Sequence, residues 1–145
     1  MIFDQIIQPR NLKWVDIKEG DSASFDACVT QKEVDTFMAL CGNSSPLHTN
    51  ESFAKKKGFE RSPVYGMFLA SFFSTLVGMY LPGRNCLCMA QSCQFKKAIF
   101  VDDKIKVRGQ VIKKIDATKM LYIKTTIENQ EHIVCINGEA LVKYI

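Results

Sequence analysis

The segment from residue 62 to residue 80 constrains the fold most, because as a helix it is apolar on nearly every side. Its apolar residues are Val64, Met67, Phe68, Ala70, Phe72, Phe73, Leu76, Val77 and Met79. A helix of this kind has to be covered all round. Ser62 and Pro63 suit the N-cap and the first helical position, and Leu81-Pro82-Gly83 ends the pattern. The rest of the chain is therefore expected to fold around one long buried helix.

The sequence after this helix alternates apolar and polar residues, as strands do. We predict strands over residues 85–95, 104–115, 120–128 and 133–144, with turns at 101–103 and 129–131. Gly138 is a candidate bulge in the last strand. Because these strands are grouped apart from the helices, the sequence predicts the α+β class, with an antiparallel sheet wrapped around the helix.

The first half of the chain contains shorter elements. Residues 1–21 are predicted to form an irregular N-terminal arm that places Trp14, Val15 and Ile17 over the core, and residues 22–30 to form a strand. Thr30 and Glu33 have the spacing of a capping box that opens a helix. This helix runs to about residue 40 and ends at Gly42. A short helix is predicted over residues 50–57, and the 145 residues together make one domain.

Composition excludes several functional classes. No apolar run is long enough to span a bilayer and no signal peptide is visible, so we expect a cytoplasmic protein without a membrane partner. The net charge of +4 is small and the lysines are dispersed, which does not favour nucleic-acid binding. The six cysteines suggest reduced thiols, and Cys86, Cys88 and Cys93 lack the neighbouring ligands of a metal site. No metal and no separate cofactor are predicted.

The segment at residues 40–54 carries the candidate chemistry. Gly42, Asn43, Ser45 and Pro46 favour a tight turn between two helices, and His48 follows directly. Loops held on a rigid scaffold are a common place for catalytic residues, and an imidazole can accept or donate a proton near neutral pH. Glu51, three residues further on, is a candidate carboxylate on the same helical face. His132, the other histidine, is predicted to lie in a surface turn.

The loop resembles the signature of the MaoC-like, or (R)-specific enoyl-thioester hydratase, family, which reads small-Gly-Asp-x-Asn-Pro-aliphatic-His. The matching residues are Cys41-Gly42-Asn43-Ser44-Ser45-Pro46-Leu47-His48, followed by Ala54. Asn43 stands where the family has its catalytic Asp, and Ser45 where it has Asn. The resemblance extends to residues 62–67, where Tyr65 replaces the usual His, and to residues 94–103. It covers about residues 22–145.

This resemblance implies a hot-dog fold and the hydration of an enoyl-thioester, or the reverse dehydration, on acyl-CoA or an acyl carrier protein. It implies that His48 transfers the proton, Asn43 orients the water or the histidine, and the Gly66 N–H donates to the thioester oxygen. Ser45, Ser62, Tyr65 and Met67 are expected to bind substrate. Coenzyme A or phosphopantetheine arrives as part of that substrate. A homodimer is expected, since the family pairs its sheets edge to edge and an edge strand needs covering.

Other interpretations of the same residues remain open. An amide can hydrogen-bond a water but cannot take its proton, so Asn43 favours a catalytically impaired acyl-thioester-binding module. A hot-dog thioesterase is a related alternative. His48 could be a helix-start histidine without chemistry, Asn43 a helix C-cap, and Ser62 a simple N-cap. The sequence alone does not decide between them.

Overall fold

The computed structural model describes residues 8–145, and its main feature is one six-stranded antiparallel sheet. The strand order is β1-β4-β5-β6-β2, with β3 also paired to β6. The strands are β1 Ser22–Cys28, β2 Cys86–Gln91, β3 Gln94–Phe95, β4 Lys104–Ile115, β5 Met120–Glu128 and β6 Val134–Tyr144. The sequence located β4 and β5 at their observed bounds. The other strands differ at their ends, and β1 is two residues shorter than predicted.

Within residues 8–145, four α-helices accompany the sheet. They are α1 Gln31–Cys41, α2 Pro46–Thr49, α3 Glu51–Lys56 and α4 Gly66–Thr75, and α4 continues into a π-helical turn, Leu76–Tyr80. Gly42 ends α1 as predicted: its φ is 71° and its N–H donates to the Met38 carbonyl at 2.9 Å. Thr30 precedes α1 without a side-chain capping bond, so the reciprocal pair of bonds predicted for a capping box is not formed in full.

The central helix packs against the inner face of the sheet, as the α+β class requires. Phe25 of β1 stacks on Tyr80 with ring centroids 5.0 Å apart and lies 6.3 Å from Phe72. Gly109 of β4 allows a close approach, since a Cβ there would lie 2.8 Å from the Leu76 side chain. The predicted sheet around a buried helix is therefore confirmed.

Two expectations for this helix are wrong. It begins at Gly66 and not at Ser62, because the preceding segment pairs with another chain segment: the Val64 N–H donates to the Ile99 carbonyl at 2.8 Å. The helix is also not covered on every side. Met67 is 65% exposed, and Ser71 and Ser74 on the same face are exposed.

The predicted strand over residues 85–95 is interrupted. A register shift between Cys88 and Ala90 leaves Met89 unpaired, and the strand breaks again between Gln91 and Gln94. Gly138 is not a bulge, since the pairing of β6 continues through it. Its role is steric, because a Cβ at Gly138 would overlap the Ser92 carbonyl oxygen across the strand pair.

Trp14 and Ile17 of the N-terminal arm are buried as predicted, and the Trp14 indole N–H donates to Asp116 at 2.6 Å. Val15 is 76% exposed, so its predicted burial is wrong. Residues 1–7 of the predicted arm lie outside the described residues. His132 is exposed in its turn, as expected.

No helix within residues 8–145 is long and apolar enough to cross a membrane. Within the same range there is no group of His, Cys, Asp and Glu side chains that could hold a metal ion. All six cysteines are free thiols.

Candidate active site

The turn after α1 places His48 on a short helix. The Asn43 Oδ1 accepts a hydrogen bond from the Ser45 N–H at 3.1 Å, which closes an Asx turn immediately after Gly42. Pro46 then begins α2, with the fixed φ that suits a first helical position. The predicted loop between two helices therefore contains a helical turn, and this turn fixes the backbone of His48.

A hydrogen bond to the backbone sets the tautomer of His48. Its Nδ1 lies 2.7 Å from the Pro63 carbonyl oxygen. A carbonyl oxygen can only accept, so Nδ1 carries the hydrogen and a neutral ring keeps a free lone pair on Nε2. His48 is half-buried. The histidine is therefore held by one nitrogen and offers the other for proton transfer.

Tyr65 packs against the histidine from the inside. The two ring centroids are 4.1 Å apart, and the Tyr65 side chain also contacts Phe37 at 5.5 Å. Tyr65 is only 2% exposed, and its O–H donates to the Asn43 carbonyl oxygen at 2.6 Å. Burial raises the pKa of Tyr65 above its usual value of 10, with smaller contributions from Cys41 and Asp35, so the phenol remains a donor at neutral pH.

His48 opens into a cleft of about 460 Å³ between α1 and the segment before α4. Its lining residues are Gln31, Val34, Asp35, Met38, His48, Thr49, Glu51, Arg61, Ser62, Tyr65 and Val101. Glu51 lines the cleft, but it does not share a helical face with His48 as predicted, because α2 ends at Thr49 and the extended residue Asn50 separates it from α3. Glu51 also pairs with Lys55, whose hydrogen bond and charge lower the pKa of Glu51. This carboxylate is therefore already engaged by a lysine.

The other candidate residues lie beside this cleft. Gly66 lines a second cavity of about 310 Å³, and the Phe95 ring lies so close that a Cβ on Gly66 would approach it to 2.8 Å. Met67 lines a third cavity of about 550 Å³ on the exposed face of α4, again with Phe95. Asn43 and Ser45, both within residues 8–145, are not among the residues that line the cleft. The structure therefore brings His48, Ser62 and Tyr65 together, and links Asn43 to them through the Tyr65 hydroxyl.

Comparison with known proteins decides the family. The family model described as MaoC like domain matches residues 13–132. The chain belongs to the MaoC-like family. It is 35% identical over 127 residues to an (R)-specific enoyl-CoA hydratase of Aeromonas caviae, which covers 88% of this chain and 95% of that protein. A second (R)-specific enoyl-CoA hydratase, from Rhodospirillum rubrum, is 32% identical over 88% of each chain.

Solved structures agree with the fold. The structure of the (R)-hydratase from Aeromonas caviae involved in PHA biosynthesis superposes on this MaoC-like chain with a TM-score of 0.85 and 34% identity. It covers 89% of this chain and 98% of that one. The resemblance to the MaoC-like family and the hot-dog fold that it implied are thus confirmed.

Arg61 in the wall of the cleft is a residue that the sequence pattern did not reveal. Arg61 donates to the Val101 carbonyl at 2.9 Å and reaches the Asp103 carboxylate at 3.4 Å, while its guanidinium lies 5.1 Å from the centre of the Phe100 ring. Asp103 is buried and also accepts from the Phe100 N–H at 2.8 Å. These contacts hold the turn before β4 against the segment before α4. Nothing in the local sequence pattern marked Arg61, since its partners lie some 40 residues away.

Proposed function

We propose that this MaoC-like protein is an enoyl-thioester hydratase, which in reverse is a 3-hydroxyacyl-thioester dehydratase. The observation that carries the proposal is His48, held through Nδ1 with Nε2 free, in a cleft of about 460 Å³. The curated relatives support this reaction class. They include the two hydratases above and a mitochondrial 3-hydroxyacyl-[acyl-carrier-protein] dehydratase of Arabidopsis thaliana, 27% identical over 86% of this chain and 75% of that protein.

The proposed reaction adds water across the conjugated double bond of a thioester. His48 Nε2 takes a proton from the water as its oxygen bonds to the β carbon, and a proton is then delivered to the α carbon. The intermediate enolate oxygen needs a donor. The Gly66 N–H can supply it, because N–H groups in the first turn of a helix have no intrahelical partner and lie at its positive end. In this scheme Asn43 orients the water or the histidine and takes no proton.

The substrate is an acyl-CoA or an acyl carrier protein, so the reaction needs no separate cofactor. Ser62 and Tyr65 border the cleft beside His48. Met67 lies on the neighbouring exposed face of α4. Ser45, Ser62 and Met67 are the proposed substrate-binding residues, whereas Tyr65, which is only 2% exposed, supports the wall of the cleft. The six free thiols are compatible with the cytoplasm as the compartment.

We also propose a homodimer, formed through the β2 edge of the sheet. Among residues 8–145, β2 pairs with β6 and with no other strand, so its other side is open to this part of the chain. Leu87, Met89 and Phe95 on this edge are each more than half exposed, and so is Met67 on α4. An open edge beside exposed apolar side chains is a site for strand pairing. A second copy would cover both.

The experiment that tests the proposal measures hydration of short- and medium-chain enoyl-CoAs by the loss of their conjugated absorbance. The proposed function is supported if the wild type consumes enoyl-CoA and His48→Ala does not. If no enoyl-CoA is consumed although acyl-CoA still binds, the protein is a binding module, which the chemistry of Asn43 would then explain. If free thiol appears without a change in the double bond, the protein is a thioesterase.

A further inference from the structure

Two positions at which the chain departs from the family signature contact each other directly. Asn43 replaces the expected Asp and Tyr65 replaces the expected His. The Tyr65 O–H donates to the Asn43 carbonyl oxygen at 2.6 Å. The contact joins residues 22 positions apart and links the loop after α1 to the residue immediately before α4.

The same tyrosine supports the histidine. Its ring lies 4.1 Å from the imidazole of His48, and the ring itself is fixed by Phe37, which also contacts Phe68 at 5.4 Å. The hydroxyl of Tyr65 already donates its hydrogen bond to the Asn43 carbonyl oxygen. At 2% exposure, the side chain has almost no surface to offer a substrate. Its contacts are with the residues that carry the proposed chemistry.

We propose that Tyr65 is a positioning residue for the reaction, which sets where Asn43 and His48 stand relative to each other. The Tyr65 hydroxyl holds the backbone carbonyl of Asn43 by a hydrogen bond, and the Tyr65 ring packs against the buried side of the His48 imidazole. This inference rests on the proposed function. It adds to the proposed function that Tyr65 affects the reaction through Asn43 and His48 and does not contact the substrate. A displacement of about 1 Å in a reacting group can cost about 100-fold in rate, so a side chain holding two such groups affects turnover.

The test is Tyr65→Phe, which keeps the ring and removes the O–H. We expect kcat for enoyl-CoA hydration to fall about tenfold while KM stays within about twofold, because substrate contacts are unchanged. Tyr144→Phe is the matched control. The Tyr144 hydroxyl also donates to a backbone carbonyl, that of Leu12 at 2.9 Å, but Tyr144 is not among the residues of the cleft. Tyr144→Phe should lower the melting temperature comparably and leave kcat unchanged.

A spectroscopic measurement makes the test independent of activity. The chain has two histidines, so the ring signal of His48 can be assigned in an NMR spectrum by comparison with His48→Ala. The Tyr65 ring, whose centroid lies 4.1 Å from that of the imidazole at an interplanar angle of 34°, should shift this signal upfield. Tyr65→Phe should keep the shift, and Tyr65→Leu should abolish it.

The possible results separate the two hypotheses. Equal kcat in Tyr65→Phe and Tyr144→Phe, or a rise in KM alone, would overturn the positioning role. An unchanged chemical shift of the His48 ring in Tyr65→Leu would also overturn the positioning role, and this result can be obtained even if the wild type has no activity. A wild type that consumes no enoyl-CoA but shows the ring shift would refute the proposed function, and it would leave the contact of Tyr65 with His48 established.

Discussion

Introducing a carboxylate at position 43 is the sharpest test of the proposed chemistry. Asn and Asp are nearly isosteric, and the Asn43 Oδ1 already accepts the Ser45 N–H at 3.1 Å, so Asn43→Asp keeps the Asx turn. The new charge lies just after the C-terminus of α1, where the helix dipole disfavours it by about 0.3–1 kcal/mol. The stronger hydrogen bond from Ser45 to a carboxylate offsets part of this cost. We therefore expect the melting temperature to change by only a few degrees.

The expected effect on catalysis is much larger. An Asp with an ordinary pKa near ~4 is ionised at neutral pH and can accept a proton, which the amide cannot. A positioned general base contributes roughly 10²–10⁴-fold. His48 is already available as a partial substitute, so we expect a gain of about 10- to 1,000-fold in hydration rate. This corresponds to roughly 1.4–4.1 kcal/mol of activation free energy.

The assay compares the initial rate of enoyl-CoA hydration in the wild type and the variant at matched concentrations. Asn50→Asp is the control, because the Asn50 Oδ1 also accepts a backbone N–H, that of Phe53 at 2.9 Å, and the residue caps α3. It adds the same charge seven residues further on and should leave the rate within about twofold. A wild type that is already efficient, with no gain in Asn43→Asp, would refute the reasoning and give the amide an active role.

Three further predictions follow from the same structure. His48→Ala should abolish turnover and lower the free energy of unfolding by only about 1 kcal/mol, the value of the lost bond to Pro63, as measured by chemical denaturation. For the proposed homodimer, the wild type should have the mass of a dimer in light scattering and Met89→Lys the mass of a monomer, because the lysine places a charge on the β2 edge; a dimeric Met89→Lys would contradict an interface at this edge. Gly138→Ala should lower the melting temperature markedly, because its Cβ would overlap the Ser92 carbonyl; a variant as stable as the wild type would show that the connection between β2 and β3 can move away.

The elements that the sequence predicted well are those whose pattern is local. β5 alternates along its whole length and β4 does so as far as Val111, and the predicted bounds of both strands match the observed ones to the residue. The end of α1 at Gly42 was also correct, because a left-handed residue there favours glycine.

The errors have a common physical cause, which is competition from a distant segment. Ser62 and Pro63 have good helix-start residue types, but Val64 is paired with Ile99 and cannot join the helix. Likewise the interrupted edge strand depends on the close approach of Ser92 to Gly138. In the site, the turn-forming residues before His48 were enough to predict it as a candidate catalytic residue. Its partners Pro63 and Tyr65 lie 15 and 17 residues further along the chain, and Arg61 in the cleft wall contacts residues some 40 positions away, so no local spacing reveals these contacts.

The hydrogen bond from His48 Nδ1 to Pro63 has a stereochemical consequence. With Nδ1 committed to a backbone carbonyl, Nε2 is the only ring nitrogen left for a substrate. For the proposed hydration, one atom then receives the proton of the water and returns it to the α carbon. Since that atom lies on one side of the planar double bond, the oxygen and the hydrogen are added to the same face. The product formed in deuterated water would carry its hydroxyl and its deuterium in the syn relationship.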